Sequence, residues 1–294
     1  MNVELPDKDP GYALAFAGLA DCYNLHSYYG ELPPRESFPK AKAASTKALE
    51  LDDKLAEAHT SLAFVSAWYD WDWPAAESEF QRALELNPNY ATAHHWYALF
   101  LMAMERASEA LSEVKRAQEI DPLSLAINRD VGLVYHRARQ GDRAIEQYLK
   151  TIELDPNFWS AHQHLGWAYE QKAMYEEAIA ELHQASAAGD RTKIWAELGQ
   201  IYAVSGRRAE AEKVLGELQE CAAQRYVSPY EIAIIYAGLA EHDQAFAWLE
   251  RAYLDRSGWL IYLKVDPLLD GLRTDSRFAD LLQRVGFAPS PDRP

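Results

Sequence analysis

The sequence predicts an all-α, right-handed α-solenoid of about seven helix pairs with a C-terminal helical cap. Three observations carry that prediction. Pro88, Pro122 and Pro156 fall 34 residues apart, in Leu86-Asn87-Pro88, Ile120-Asp121-Pro122 and Leu154-Asp155-Pro156. Small residues recur with nearly the same period in three rows. Large apolar residues between them keep helical spacings of 3, 4 and 7. A fixed period of this length marks a helix–turn–helix unit stacked along one direction.

The first row of small residues is Ala41, Ala76, Ala110, Ala144, Ala178, Ala211 and Ala245. The second is Ala20, Ala63, Ala98, Gly132, Gly166, Gly199 and Ala233, and a weaker third runs from Ala48 through Ala83, Ala117, Thr151, Ala185 and Leu218 to Ala252. Small side chains at fixed points let paired helices approach, because a close-packed interior leaves no spare volume there. Large residues sit just before the second row, and Tyr23, Tyr135, Tyr169, Tyr202 and Tyr236 sit three places after it.

Taken in order, the units are expected near 13–55, 56–90, 91–124, 125–158, 159–191, 192–225 and 226–258. In each, the first helix should end at a Gly or polar turn, such as Gly141-Asp142 or Ser205-Gly206, where a left-handed residue closes the helix. The second ends before the Asp/Asn-Pro step, since proline donates no N–H and disfavours helix in its predecessor. Residues 1–12 read as the remnant of a preceding repeat ending at Asp9-Pro10, which implies that the chain is cut from a longer protein. About nine extra residues around Asn24–Arg35 read as an ordered loop in the first unit. The run Trp68–Pro74 reads as the connector of the second. Residues 259–287 are expected to cap the open end of the core, and 288–294 to be a disordered tail.

The unit Trp159-Ser-Ala-His-Gln-His-Leu165-Gly166-Trp-Ala-Tyr169, followed by Tyr175-Glu-Glu-Ala178-Ile179, Leu182 and Ala185, resembles the tetratricopeptide repeat. Leu32-Pro33-Pro34-Arg35-Glu36, Tyr69-Asp70-Trp71-Asp72-Trp73, Ala93-His94-His95-Trp96-Tyr97, Tyr226-Val-Ser-Pro229-Tyr230 and Arg256-Ser-Gly-Trp259 are not generic repeat consensus. With them, 10–287 resembles the C-terminal tetratricopeptide region of bacterial multidomain signalling proteins. Those proteins join it to winged-helix, Ser/Thr kinase, adenylate cyclase or TolB-like N-terminal domains. The resemblance implies a regulatory or sensory scaffold, with first-helix residues lining a concave groove. By that register the groove would present His95, Arg129, His136, Gln163, Trp167 and Gln200 to a peptide or protein segment. Leu133 stands where a carboxylate clamp would have Asn, which argues against a specificity for chain termini.

Composition bounds the remaining classes. The chain has 294 residues, 49% hydrophobic and 25% charged, ordinary for a packed protein. A formal charge of −16 with no basic stripe argues against nucleic acid and anionic lipid as partners. Two distant cysteines, Cys22 and Cys221, give no disulfide framework. No apolar run reaches the length of a membrane span. The expected location is cytoplasmic, or extracytoplasmic should a membrane segment precede this chain. His59, His94 and His162 share one repeat position, which favours packing over metal ligation. No catalytic, cofactor or metal motif is present, so a non-enzymatic protein-interaction scaffold is expected, with self-association into a homo-oligomer as the alternative. Trp68, Trp71 and Trp73 form either an exposed edge patch for a partner or, preferentially, a clasp over the loop of the first unit.

Overall fold

The structure, a computed structural model, describes residues 11–30, 32–187 and 192–287. All but two residues of the expected N-terminal remnant, and all of the expected tail, lie outside the described residues. Among the described residues, seven helical hairpins follow one another. They are α1 (Ala13–Tyr28) with α2 (Pro34–Leu51), α3 (Ala56–Val65) with α4 (Trp73–Leu86), and α5 (Ala91–Ala103) with α6 (Ala107–Ile120). Next come α7 (Leu125–Arg137) with α8 (Gly141–Leu154), and α9 (Trp159–Gln171) with α10 (Tyr175–Ser186). The last are α11 (Thr192–Val204) with α12 (Arg208–Ala222), and α13 (Pro229–Gly238) with α14 (His242–Leu254). Two 3-10 turns, Gly258–Tyr262 and Pro267–Leu272, then lead to α15 (Ser276–Arg284).

The small-residue rows are where helices touch. All seven alanines of the first row are completely buried, as are all the alanines of the other two. Glycine is required at one of these points. A Cβ on Gly132 would stand 2.4 Å from the ring of Tyr148, itself fully buried on the partner helix α8.

The hairpin turns differ from expectation in their chemistry. The left-handed residue is not Gly141, which begins α8, but Arg139 (φ 61°) two places earlier. Glu105, Ala173 and Ala240 occupy the same place in their turns, with Gly206 the one glycine in this set. Each turn is closed by the same long-reach backbone bond, such as Gln140 N–H to Tyr135 O at 2.9 Å and Met174 N–H to Tyr169 O at 2.9 Å. That bond satisfies an orphan carbonyl at the helix end, which offsets the cost of a left-handed non-glycine residue.

His59, His94 and His162 each tie three segments together. Their Nδ1 atoms lie 2.5, 2.5 and 2.6 Å from Glu79, Glu113 and Glu181 on the second helix of the pair. Their Nε2 atoms meet the carbonyls of Asp53, Pro88 and Pro156 in the preceding turn, at 3.0–3.1 Å. Asn128 fills the position in the fourth pair and makes the corresponding bond to Pro122 O at 2.9 Å.

The extra residues of the first unit are mostly helix, not loop. Asn24–Tyr28 continue α1, and α2 starts at Pro34, where proline suits a first helical turn. Likewise Ser66–Asp70 extend α3 as a π-helical turn that ends at the left-handed Trp71. Both extensions push aromatic side chains further along the array than a regular unit would.

Candidate functional site

The inward ends of the first helices converge on a polar axis. Asp130 on α7 is wholly buried, and its two oxygens each receive a guanidinium N–H of Arg129 at 2.7 Å. His95 Nε2 on α5 lies 2.6 Å from the same carboxylate, and Arg129 also donates to Ser160 Oγ at 2.7 Å. Burial opposes the charge on Asp130, but Arg129 and His95 hold it far below the usual carboxylate range. On α9 and α11, Gln163 donates to both oxygens of Glu197 at 2.8 and 2.9 Å. Burial pushes the Glu197 carboxyl up and the Lys193 ammonium down, each towards its neutral form, against their mutual attraction. His136 is held at about 3, by burial first and then by neighbouring Arg137.

The C-terminal segment fills this axis from one end. Trp259 packs 5.4 Å from Tyr28 of α1, and Lys193 Nζ sits 3.8 Å above the Trp259 ring. Asp266 accepts from Arg137 Nη1 at 2.6 Å and from Tyr230 Oη at 2.7 Å, with both partners of the ion pair buried. Arg137 itself stands between the rings of Trp167 and Tyr262, at 5.6 and 5.8 Å. Residues 129 positions apart in sequence are thus locked across the interior, and the array is closed rather than open-ended.

Closure decides where the groove residues lie. His95, Arg129, His136, Gln163, Trp167 and Gln200 do face the axis and do come together, but each is 8% exposed or less. They are the polar interior of the ring: His95 and Arg129 are bonded to Asp130 and Gln163 to Glu197, while His136 and Trp167 lie beside Asp266–Leu268 of the C-terminal segment.

The tryptophan cluster clasps that segment, not the first unit's loop. Trp68 is buried between Phe64, stacked at 4.1 Å, and Tyr262. Trp71 stacks on Tyr253 at 5.4 Å under the guanidinium of Arg256. Trp73 stacks on Phe287 at 5.0 Å and donates to Gly286 O at 3.0 Å. The clasp forms with the far end of the chain because the superhelix returns there; sequence proximity pointed to the wrong loop.

One mouth of the axis remains open, a cavity of about 300 Å³. Tyr28, Tyr29, Phe64 and Trp96 form its aromatic wall, and Asp21, Asp121 and the His95–Asp130–Arg129 group its polar one. Burial raises Asp21 to about 7, where its carboxylate accepts from Ser61 Oγ at 2.5 Å. Sequence reasoning does not single out Asp21, Tyr28 and Tyr29 as site residues. For Tyr28 and Tyr29 the signal in the sequence is the lengthened first unit, which reads as a loop; Asp21 precedes it.

The repeat architecture agrees with the comparisons. Models described as tetratricopeptide repeat match residues 71–127 and 147–180. The chain carries tetratricopeptide repeats. PilW, a widely conserved type IV pilus biogenesis factor, is 19% identical over 72% of this chain and 94% of its own, with a TM-score of 0.56. A thermophilic tetratricopeptide protein of Thermus thermophilus, TTC0263, is 18% identical over 59% of this chain and 89% of its own, with a TM-score of 0.50. At such identities the likeness shows the fold alone: an all-helical tetratricopeptide solenoid. No curated protein matches the sequence. Tetratricopeptide proteins are protein-interaction scaffolds and typically non-enzymatic. Among the described residues no helix is long and apolar enough to cross a membrane, and no group of His, Cys, Asp and Glu is arranged to hold a metal ion.

Proposed function

We propose that this chain is a non-enzymatic interaction scaffold that receives a basic segment of a partner protein in the open mouth of its concave face. The observation that carries this reading is the mouth itself. It joins four aromatic side chains to three carboxylates on the inward face, in a chain of formal charge −16. Among the described lining residues only Arg129 is a lysine or arginine, and Asp130 neutralises it. An incoming Lys or Arg side chain would lie over Tyr29 and Trp96 with Asp21 and Asp121 beside it, an attraction that strengthens when water is excluded. The stretches around Pro33-Pro34, Trp71-Asp72-Trp73 and Ser257-Gly258-Trp259 support placing the scaffold in a bacterial signalling protein, as its regulatory region.

The test is fluorescence anisotropy with labelled peptides enriched by display on the immobilised chain, and with acidic permutations of them. Basic peptides should bind, and Tyr29→Ala with Asp121→Lys, both at exposed positions, should weaken them by at least about tenfold. Equal binding to the variant would place the partner surface elsewhere. Light scattering at two concentrations separates this reading from self-association, which would show mass rising with concentration.

A further inference from the structure

A second cavity of about 300 Å³ opens on the opposite side of the closure, where the turns after α5 and α7 meet the C-terminal segment. Its walls bring together Arg137, Arg139, Lys264 and Arg273, while Met102, Val134 and Val265 supply an apolar floor. Four cations in one cleft are out of keeping with a chain of formal charge −16. They are only partly neutralised. Asp270 is shared by Arg139 and Arg273, each at 2.8 Å, Asp266 takes Arg137, and Glu105 lies 3.4 Å from Lys264. Four cations against three carboxylates leave a surplus of positive charge facing the cavity.

Arg137, its side chain 5% exposed and its Nη1 bonded to Asp266, adds its charge from the back of the cleft. The donors come from forked guanidinium groups as well as an ammonium, a set that matches the several acceptor oxygens and double charge of a phosphate monoester.

We propose that this cleft binds a small organic phosphate, its phosphoryl oxygens on Arg139, Arg273 and Lys264 and its less polar body on Met102, Val134 and Val265. The cavity is at the lower end of the range for small-ligand sites, which limits the ligand to roughly the size of a nucleoside monophosphate. Because Lys264, Val265 and Arg273 belong to the C-terminal segment and the other walls to the third and fourth helix pairs, such a ligand would bridge the closure and hold it shut. The site shares no lining residue with the open mouth, so it stands or falls separately from the partner surface.

The experiment is isothermal titration of the full chain with adenosine monophosphate, inorganic phosphate and citrate at matched ionic strength, repeated on Arg139→Gln with Lys264→Gln. Both substituted side chains are partly exposed, and circular dichroism confirms that the variant is folded. The proposal expects saturable binding of the monophosphate, weaker binding of inorganic phosphate, and at least about a tenfold loss in the variant. Arg277→Gln with Arg284→Gln, on the distant α15, should bind as the parent does. No saturable binding of either phosphate up to roughly 10 mM would overturn the proposal. So would binding that survives the cleft substitutions, or citrate binding more tightly than the monophosphate.

Discussion

Replacing Asp266 by alanine should open the ring. The carboxylate sits 2.6 Å from Arg137 Nη1 and 2.7 Å from Tyr230 Oη, and also accepts from Leu268 N at 3.0 Å. The side chains of the ion pair are 5% and 2% exposed, so solvent does little to screen them. Removing one partner of a buried pair leaves an uncompensated charge and costs about 3–5 kcal/mol. The orphaned Tyr230 hydroxyl adds about 1 kcal/mol. A seven-pair array need not unfold to relieve this, because the C-terminal segment can leave and let Arg137 meet water. The observable effect is therefore local: faster amide exchange across 258–272, with urea unfolding of the central pairs changed far less. Arg137→Met combined with Asp266→Leu should recover much of the lost protection, since an apolar pair carries no desolvation penalty. Unchanged exchange at 258–272 in Asp266→Ala, with a stability loss under about 1 kcal/mol, would refute the idea that this pair anchors the closure. Asp266 is held below its ordinary value of 3.8; burial alone would raise it, and Arg137 overrides that. Its contribution is thus present above that value and lost as pH falls through the lower folded-state value, so strong acid should mimic the substitution.

Gly132→Ala places a methyl 2.4 Å from the buried Tyr148 ring and should cost about 1–3 kcal/mol in urea titrations, partly offset by helix propensity. At Gly166 the nearest atom is 3.1 Å away, so Gly166→Ala should cost distinctly less. Ala173→Gly relieves an exposed left-handed residue (φ 58°) and should stabilise by roughly 0.5–1 kcal/mol, read from the same titrations. Glu231 is raised by burial from 4.5 to about 7, so its contribution is fully present below pH 4.5 and lost as pH rises through 7. Glu231→Gln should remove up to about 3 kcal/mol of that decline between pH 4.5 and 8, measured from urea midpoints at both ends.

The repeat architecture was legible because its determinants are local and periodic. Ala144 and Ala178 are buried where their spacing put them, and the Asp/Asn-Pro steps do lie between hairpins. The position shared by His59, His94 and His162 was legible as packing, but its carboxylate partners were not, since nothing in their spacing sets Glu79, Glu113 and Glu181 apart from the other acidic residues of the second helices. Closure was not legible at all. It rests on pairs such as Arg137 with Asp266 and Trp73 with Phe287, separated by more than a hundred residues, and no periodicity records them. Its effect shows in α5, where Ala93–Ala103 are all buried. A helix covered around its whole circumference leaves no face for an open groove. The first unit resists reading for a physical reason too: Gly30, Pro33 and Pro34 mark a turn, yet they follow an extension of α1 rather than sit within a loop.

The most direct test is a hydrogen-exchange footprint of the bound basic peptide. The account predicts new protection in 21–29 and 91–99, around the open mouth, with exchange in 159–171, 192–204 and 258–272 unchanged. Protection appearing on α9 and α11 together with release of 258–272 would contradict it, because the peptide would then have replaced the C-terminal segment in the axis.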